Sequence, residues 1–163
     1  MAFEIGQVAD VDWAPRPNRQ TLYLAARVPD SCTAVIAFVI TDGRMLLTEV
    51  ASRGWDIPGG HRNEESSDQA IDREVLEETG LALRTKLPIG YMSLHIYGPR
   101  PAQYQYPYPT SDIGVFAATV NPGTPAGGLE CTSAAWVPLD EVRRRCATRT
   151  WLPYLHYIPA GAV

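Results

Sequence analysis

The feature that most constrains this chain is a glycine pair followed by acidic residues at fixed intervals. The pair opens residues 59–65, and Glu74, Glu77 and Glu78 follow. The last three acids are spaced i, i+3 and i+4, so at about 100° per residue they leave one narrow arc of an α-helix. Like charges at this spacing repel each other, so the segment predicts a helix that carries a polar site.

The apolar residues of the same helix indicate where the acids emerge. On a helical wheel, Ile71 and Val75 fall within or beside the acidic arc, whereas Asp72 and Leu76 point largely the other way. The carboxylates should therefore leave the helix at the edge of its packing face. Half-buried acids with too few basic partners are costly, and a hard divalent cation with oxygen ligands is the usual remedy.

The bounds of this helix can be predicted from its caps. Ser66 and Gln69 have the spacing of a capping box, and Gly80 is a typical C-terminal cap. These signals predict a helix from about Ser67 to Thr79. The three acids then occupy its last two turns, where the helix dipole favours cations. Acids at this end destabilise the helix locally, and such a cost is more typical of a metal site than of a structural surface.

The complete pattern resembles the Nudix box, which is a glycine, five residues, a glutamate, seven residues, and then Arg-Glu-aliphatic-x-Glu-Glu-x-Gly-aliphatic. All nine constrained positions are occupied, namely by Gly59, Glu65, Arg73, Glu74, Val75, Glu77, Glu78, Gly80 and Leu81. The chain is similar in this respect to MutT-like pyrophosphohydrolases of the Nudix hydrolase family. Many members use the second glycine of the pair as the box residue, whereas strict counting here requires the first.

The resemblance implies a role for each box residue. Glu74 and Glu78 are expected to be the principal metal ligands, and Glu77 a further ligand directly or through water. A backbone carbonyl of Gly59 or Gly60 completes the set, and Glu65 supports it or binds an additional metal. Arg73 is expected to pair with box glutamates and orient them. Magnesium is the expected ion, with manganese as a substitute, because the set consists of carboxylates without clustered His or Cys.

The general base has two candidates. Nudix members differ in whether it comes from the box or from a later loop. Glu77 is the box candidate, and Glu130 is the loop candidate, because it precedes a run, residues 136–141, that resembles the end of many Nudix domains. Loops often carry function, although a loop acid is also commonly just solvated.

Three tyrosines are candidates for substrate binding. Tyr104, Tyr106 and Tyr108 alternate in a proline-rich segment that we expect to form an ordered loop at the margin of the site. An aromatic ring there can stack on a nucleobase, whichever base it is. The alternative for each ring is that it only covers the core.

The remaining pattern predicts a mixed α and β protein. A strand over Cys32–Thr41, a two-residue turn at Asp42-Gly43 and a strand over Arg44–Val50 form a predicted hairpin. Further expected elements are strands over Thr21–Ala26, Leu87–Tyr97, Ile113–Val120 and Ala134–Val137, a short helix over Asp140–Cys146, and a docked aromatic tail over Trp151–Tyr157. The Nudix resemblance implies that these elements form an α/β/α sandwich with a central mixed sheet.

Length and composition limit the remaining possibilities. With 163 residues and 45% apolar residues, the chain suits one domain over 1–163, with the box at 59–81 and residues 1–30 outside the resemblance. The net charge of −4 argues against binding of a nucleic-acid duplex. Three cysteines without a Cys-x-x-Cys, and no apolar run long enough to span a membrane, favour a cytoplasmic protein. A homodimer stays open.

These features together predict a metal-dependent pyrophosphohydrolase. We expect it to cleave the diphosphate bond of a nucleoside diphosphate linked to another group, and the leading physiological hypothesis is removal of a nucleoside triphosphate or an oxidised nucleotide. One alternative is a Nudix-fold module that binds a nucleotide or nucleotide sugar without hydrolysing it, although such a module has no need to keep every acid. Another is an acidic protein-interaction domain, which leaves the repulsive acid cluster unexplained.

Overall fold

The structure of the chain, a computed structural model, describes residues 1–128 and 130–158. Within these residues it contains nine strands, two α-helices and one 3-10 helix. The strands are β1 (Ala2–Ala9), β2 (Asn18–Ala25), β3 (Cys32–Thr41), β4 (Arg44–Val50), β5 (Gly54–Asp56), β6 (Gly59–His61), β7 (Leu83–Ile96), β8 (Thr110–Val120) and β9 (Cys131–Pro138). The helices are α1 (Ser67–Thr79), α2 (Leu139–Arg145) and the 3-10 helix (Leu152–His156).

All nine of these strands join one mixed sheet. Its main path runs in the order β1-β2-β7-β8-β3-β4-β5, while β6 pairs with β3 and β9 pairs with β4. The β3–β8 pair is parallel and the other pairs are antiparallel. Strand β3 therefore lies at the centre, with the glycine pair of β6 directly beside it.

The two faces of β3 explain the layers of the fold. Val35, Ala37 and Val39 point to one face and share a buried cluster with Ile71 and Val75 of α1. Alternate residues of a strand point to opposite faces. Accordingly, Phe38 and Ile40 belong to a second cluster with side chains of α2 and of the 3-10 helix. The sheet thus lies between helices on both sides, which confirms the predicted α/β/α arrangement.

Helix α1 has the predicted bounds for the predicted reasons. The Ser66 side chain accepts the Gln69 N–H at 3.1 Å, and the Gln69 side chain accepts the Ser66 N–H at 3.0 Å. Gly80 ends the helix with a φ of 73°, in the left-handed region where a side chain would be strained. No basic residue lies in the last turn of α1, so the acids there receive no compensation from their own turn.

The hairpin between β3 and β4 also matches its prediction. Asp42 and Gly43 have φ angles of 51° and 72°, as a tight turn of this kind requires at both central residues. Across the turn, Thr41 pairs with Arg44. This hairpin positions β4, whose far end approaches the acidic end of α1.

Other elements differ from the predictions in extent. Of the predicted strand Thr21–Ala26, all residues but Ala26 lie in β2, and β1, which was not predicted, pairs with β2. Strands β7, β8 and β9 begin several residues before the predicted starts, and β5 and β6 were not predicted as strands. In each case the added residues pair with a neighbouring strand, so the sheet extends them beyond their local propensity.

The aromatic tail docks on the body, as predicted. Trp151 and Tyr154 are buried, and the Tyr154 hydroxyl lies 2.9 Å from the Tyr23 carbonyl and 2.8 Å from the Tyr91 carbonyl. The single domain over 1–163 stays a prediction, because Leu129 and residues 159–163 lie outside the described part. Among the described helices, none is long and apolar enough to cross a membrane.

Candidate metal centre

The centre of the site is the Arg73 side chain, which joins three of the box acids. Its Nε and Nη2 donate to Glu65 Oε1 at 3.0 and 2.6 Å, and its Nη1 donates to Glu74 Oε1 at 2.9 Å and Glu77 Oε2 at 3.1 Å. Nη2 also donates to the His61 carbonyl at 3.0 Å, which attaches the cluster to β6. The hydrogen bond from Arg73 lowers the pKa of the Glu65 carboxyl.

The carboxylate of Glu74 lies against the backbone of the glycine pair. The residue is only 9% exposed, and a Cβ added to Gly60 would fall 2.5–2.7 Å from its carboxylate atoms. A side chain at position 60 would therefore displace the Glu74 carboxylate from its place. Burial raises the pKa of the Glu74 carboxyl, and the hydrogen bond from Arg73 opposes the rise.

Glu78 is the acid that Arg73 does not hold. Its Oε2 accepts the Gly59 N–H at 3.1 Å. Burial raises the pKa of the Glu78 carboxyl from 4.5 to about 7, the Gly59 hydrogen bond opposes this, and the nearby Glu74 adds to it. A half-buried carboxyl with such a pKa is a candidate functional group, because it is held in an environment that disfavours its charge.

The donor set fits a hard divalent cation. Glu65, Glu74, Glu77 and Glu78 bring four carboxylates to one place, and Arg73 is the one cation bonded to them among the described residues. A divalent ion with oxygen ligands would offset this excess of negative charge. As the side chains stand, residues 1–128 and 130–158 contain no group of three or more His, Cys, Asp or Glu that could hold an ion. The assignment of ligands therefore remains a prediction.

The loop that carries Glu130 lies over the end of α1. The Ala126 N–H donates to the Thr79 carbonyl at 2.9 Å, and Gly128 lies so close to the Glu77 carbonyl that a Cβ there would clash. Glu130 itself is exposed. It precedes Cys131, whose thiol pKa is raised by burial first and then by the Glu78 carboxylate. The loop candidate for general base is thus close in space to the box.

The three candidate tyrosines occupy different environments. Tyr104 and Tyr108 are half-buried and pack on a small cluster that includes Leu94. The Tyr106 ring is 50% exposed and stacks on His61, with ring centroids 5.0 Å apart and an angle of 13°. Only Tyr106 therefore combines an exposed ring with a position beside the box.

Two residues near the site were not identified from the sequence. Asp56 and Arg53 flank Gly54 and Trp55 just before the glycine pair, and the charges of both act on the Glu78 carboxyl. Arg53 lies at the turn between β4 and β5, and its Nε is 3.7 Å from Asp56 Oδ2. The sequence shows that Arg53 lies six residues before Gly59. It does not show that Arg53 is near Glu78, because this depends on the conformation of the turn.

Comparisons with known proteins agree with this geometry. The family model described as the NUDIX domain matches residues 30–156. The pyrophosphohydrolase BsRppH of Bacillus subtilis is 20% identical over 93% of this chain and 94% of its own, with a TM-score of 0.69. A NUDIX hydrolase from Nitrosomonas europaea is 28% identical over 77% of this chain and 88% of its own, with a TM-score of 0.58.

A further similar structure contains a ligand. The NUDIX domain of NrtR from Shewanella oneidensis, in a complex with ADP ribose, is 18% identical over 72% of this chain and 79% of its own, with a TM-score of 0.55. At this identity, and at that of BsRppH, the likeness concerns the fold. No curated protein sequence matches this chain.

Proposed function

Because the chain belongs to the Nudix family and is a hydrolase of phosphoanhydride bonds, we propose that its substrate is a nucleoside diphosphate linked to another group. This class includes nucleoside triphosphates and their oxidised forms. The ADP ribose bound by the Nudix domain of NrtR is a nucleoside diphosphate linked to a sugar, which supports the nucleotide class for this fold. We further propose that activity depends on magnesium, with manganese as a substitute.

The observation that supports this proposal best is the division of the box acids between two environments. Arg73 holds Glu65, Glu74 and Glu77, whereas Glu78 is half-buried beside the Gly59 N–H with its pKa raised to about 7. A site built only for stability would pair such a carboxyl or replace it. A non-hydrolysing binding module does not need this arrangement either.

The proposed ligands of the metal are Glu74 and Glu78, with Glu77, Glu65 and a carbonyl of Gly59 or Gly60 in support. When bound, a divalent ion would neutralise the charge on phosphate oxygens and lower the pKa of the attacking water. The role of Arg73 is to hold the carboxylates in place, since its nitrogens already donate to them and to the His61 carbonyl.

For the general base we favour Glu130 over Glu77. Glu77 Oε2 already accepts a hydrogen bond from Arg73, so this oxygen is occupied, whereas Glu130 is exposed and next to Cys131 beside Glu78. The variant Glu130→Gln should then lower kcat with little change in KM. A kcat within about threefold of wild type, less than roughly 0.7 kcal/mol in barrier, would return the assignment to Glu77.

For the nucleobase we propose the exposed Tyr106 ring as a stacking surface. Its position on His61 places it beside β6 and the box, whereas Tyr104 and Tyr108 support the loop by packing. Loss of such a stack is worth about 1–3 kcal/mol per base. Tyr106→Ala should therefore raise KM for nucleotide substrates, with kcat nearly unchanged, and equal KM values in both proteins would leave Tyr106 as packing.

The experiment that tests the proposed function is a hydrolysis screen over nucleoside triphosphates, oxidised nucleotides and nucleoside diphosphates linked to sugars, with magnesium, manganese or chelator. We expect magnesium-dependent cleavage of the diphosphate bond in at least one class. Absence of cleavage throughout the panel, with folded protein and either metal, would contradict the proposal.

A further inference from the structure

The substrate proposed above brings several negative charges into an acidic site, and Arg73 has no donor left for them. Its Nε and Nη2 donate to Glu65, its Nη1 donates to Glu74 and Glu77, and Nη2 also donates to the His61 carbonyl. To bind a phosphate, Arg73 would have to release the carboxylates it orients. A side-chain cation that contacts the substrate, in addition to the proposed metal, must therefore come from elsewhere.

Arg53 lies beside the site with its guanidinium unused. Its side chain is 58% exposed, and its contact with Asp56, at 3.7 Å from Nε to Oδ2, is too long for a hydrogen bond. Within residues 1–128 and 130–158 the Arg53 guanidinium donates no hydrogen bond. The turn that carries Arg53 follows Val50, and Val50 pairs with Cys131 at the start of β9. The positive charge of Arg53 accordingly acts on both the Glu78 carboxyl and the Cys131 thiol, so Arg53 lies on the Glu78 side of the site.

The backbone of Arg53 is held although its side chain is exposed. Its N–H donates to the Val50 carbonyl at 3.0 Å, and its carbonyl accepts from Arg149 Nη2 at 2.6 Å. The neighbouring Asp56 is held as well, since its Oδ1 accepts from Trp151 Nε1 at 2.8 Å. The turn thus presents an exposed, charged side chain from a backbone held by hydrogen bonds, at the edge of the site.

We propose that Arg53 binds phosphate oxygens of the substrate on the Glu78 side of the site, an inference that rests on the proposed function. A guanidinium is permanently charged and planar, so it can donate two parallel hydrogen bonds to a phosphate. Leaving Asp56 costs little, because the ion pair is long, the Arg53 side chain is exposed, and Asp56 keeps its contacts with Trp151 and Arg149. Arg53 would recognise the diphosphate group and not the nucleoside.

This assignment has a specific kinetic consequence. Because Arg53 contacts the phosphates, Arg53→Gln should raise KM by a similar factor for substrates with different bases. Truncation of Tyr106, by contrast, should weaken the contact with the nucleobase. Arg53→Lys keeps the charge but loses the planar fork, so its KM should lie between those of wild type and Arg53→Gln.

The test measures binding of methylenediphosphonate, a diphosphate analogue with a carbon bridge, by calorimetric titration in magnesium. Wild type, Arg53→Gln, Arg53→Lys and Arg44→Gln are compared. Arg44 is an exposed arginine at the opposite end of β4 and serves as the matched control. We expect Arg53→Gln to bind the probe roughly tenfold to a hundredfold more weakly, as for loss of hydrogen bonds to a charged group, and Arg44→Gln to bind like wild type.

The outcomes separate this inference from the proposed function. Equal probe affinity and equal KM in wild type and Arg53→Gln would overturn the inference even if wild type hydrolyses nucleotides. A lower melting temperature of Arg53→Gln with unchanged probe affinity would also overturn it, because Arg53 would then only stabilise the turn. Probe binding that depends on Arg53 in a protein that hydrolyses nothing would uphold the inference and contradict the proposed function.

Discussion

The acidic end of α1 and the docked C-terminal segment, residues 151–158, differ in how completely their polar side chains are hydrogen-bonded. In the C-terminal segment, Trp151 Nε1 donates to Asp56 Oδ1 at 2.8 Å and the Tyr154 hydroxyl reaches two backbone carbonyls. At the end of α1, Glu78 is half-buried, its one hydrogen-bond partner among the described residues is the Gly59 N–H, and its pKa is raised to about 7. The two regions are neighbours, since Asp56 contacts the first and its charge acts on the second.

The difference shows how each region contributes to the molecule. Buried polar groups with complete partners stabilise a fold or cost it little, whereas a buried carboxyl with few partners destabilises it. The C-terminal segment therefore stabilises the fold, whereas the acidic end of α1 destabilises the metal-free protein locally. A bound divalent cation would offset that cost, so we interpret the unfavourable arrangement as a consequence of function.

The largest expected effect removes the charge at Glu78. Glu78→Gln should lower kcat by about two to four orders of magnitude, in line with the loss of a principal electrostatic stabiliser. The matched control is Asp72→Asn, because Asp72 lies on the same helix but is exposed and pairs with Lys86. Steady-state kinetics on the best substrate of the screen measure both variants. Near-normal turnover of Glu78→Gln would show that this carboxyl is not part of the catalytic site.

The second prediction concerns the stabilising region. Tyr154→Ala should lower the free energy of unfolding by about 3–5 kcal/mol, as for other truncations of large buried aromatic residues. Tyr157→Ala is the control, since Tyr157 lies in the same segment but is 44% exposed. Denaturant titration measures stability, and kcat should stay close to wild type at a temperature where the variant is folded. A stable Tyr154→Ala protein with reduced kcat would reverse the roles of the two regions.

The third prediction concerns the pH dependence of stability at the acidic end of α1. Glu78 titrates near 4.5 when exposed and near 7 in the folded protein, so between these values the folded state holds more protons than the unfolded state. Its contribution to the stability of metal-free protein should therefore fall by roughly 3 kcal/mol as pH rises from about 4.5 to about 7. Unfolding in chelator over this range should show a clearly smaller fall in Glu78→Gln than in wild type, because only the contribution of Glu74, whose pKa is also raised, remains in the variant. Parallel pH profiles of the two proteins would contradict the raised pKa.

Local signals in the sequence determined much of the fold. The bounds of α1 followed from the Ser66 capping box and Gly80, and the β3–β4 hairpin followed from Asp42-Gly43. Strands β5 and β6 could not be predicted in this way, because they have three residues each, contain glycine and depend on pairing with β4 and β3. Strand β1 could not be predicted for a similar reason, since its extended conformation depends on pairing with β2.

The site was predictable only where its residues are close in sequence. The spacing of the box acids indicated their shared position, because all of them lie within one loop and one helix. The stack of Tyr106 on His61 joins residues far apart in the chain. The place of Arg53 beside Glu78 depends on the turn after β4, which no local pattern specifies. Contacts of this kind come from the tertiary fold, so they appear only in the structure.

The change in melting temperature on adding magnesium, measured for wild type and Glu78→Gln, tests the central claim most directly. In chelator, Glu78→Gln should be as stable as wild type or more stable, because a repelled and half-buried charge is removed. Excess magnesium should then stabilise wild type clearly and the variant much less. Equal magnesium-induced shifts in the two proteins would contradict a metal site at the acidic end of α1.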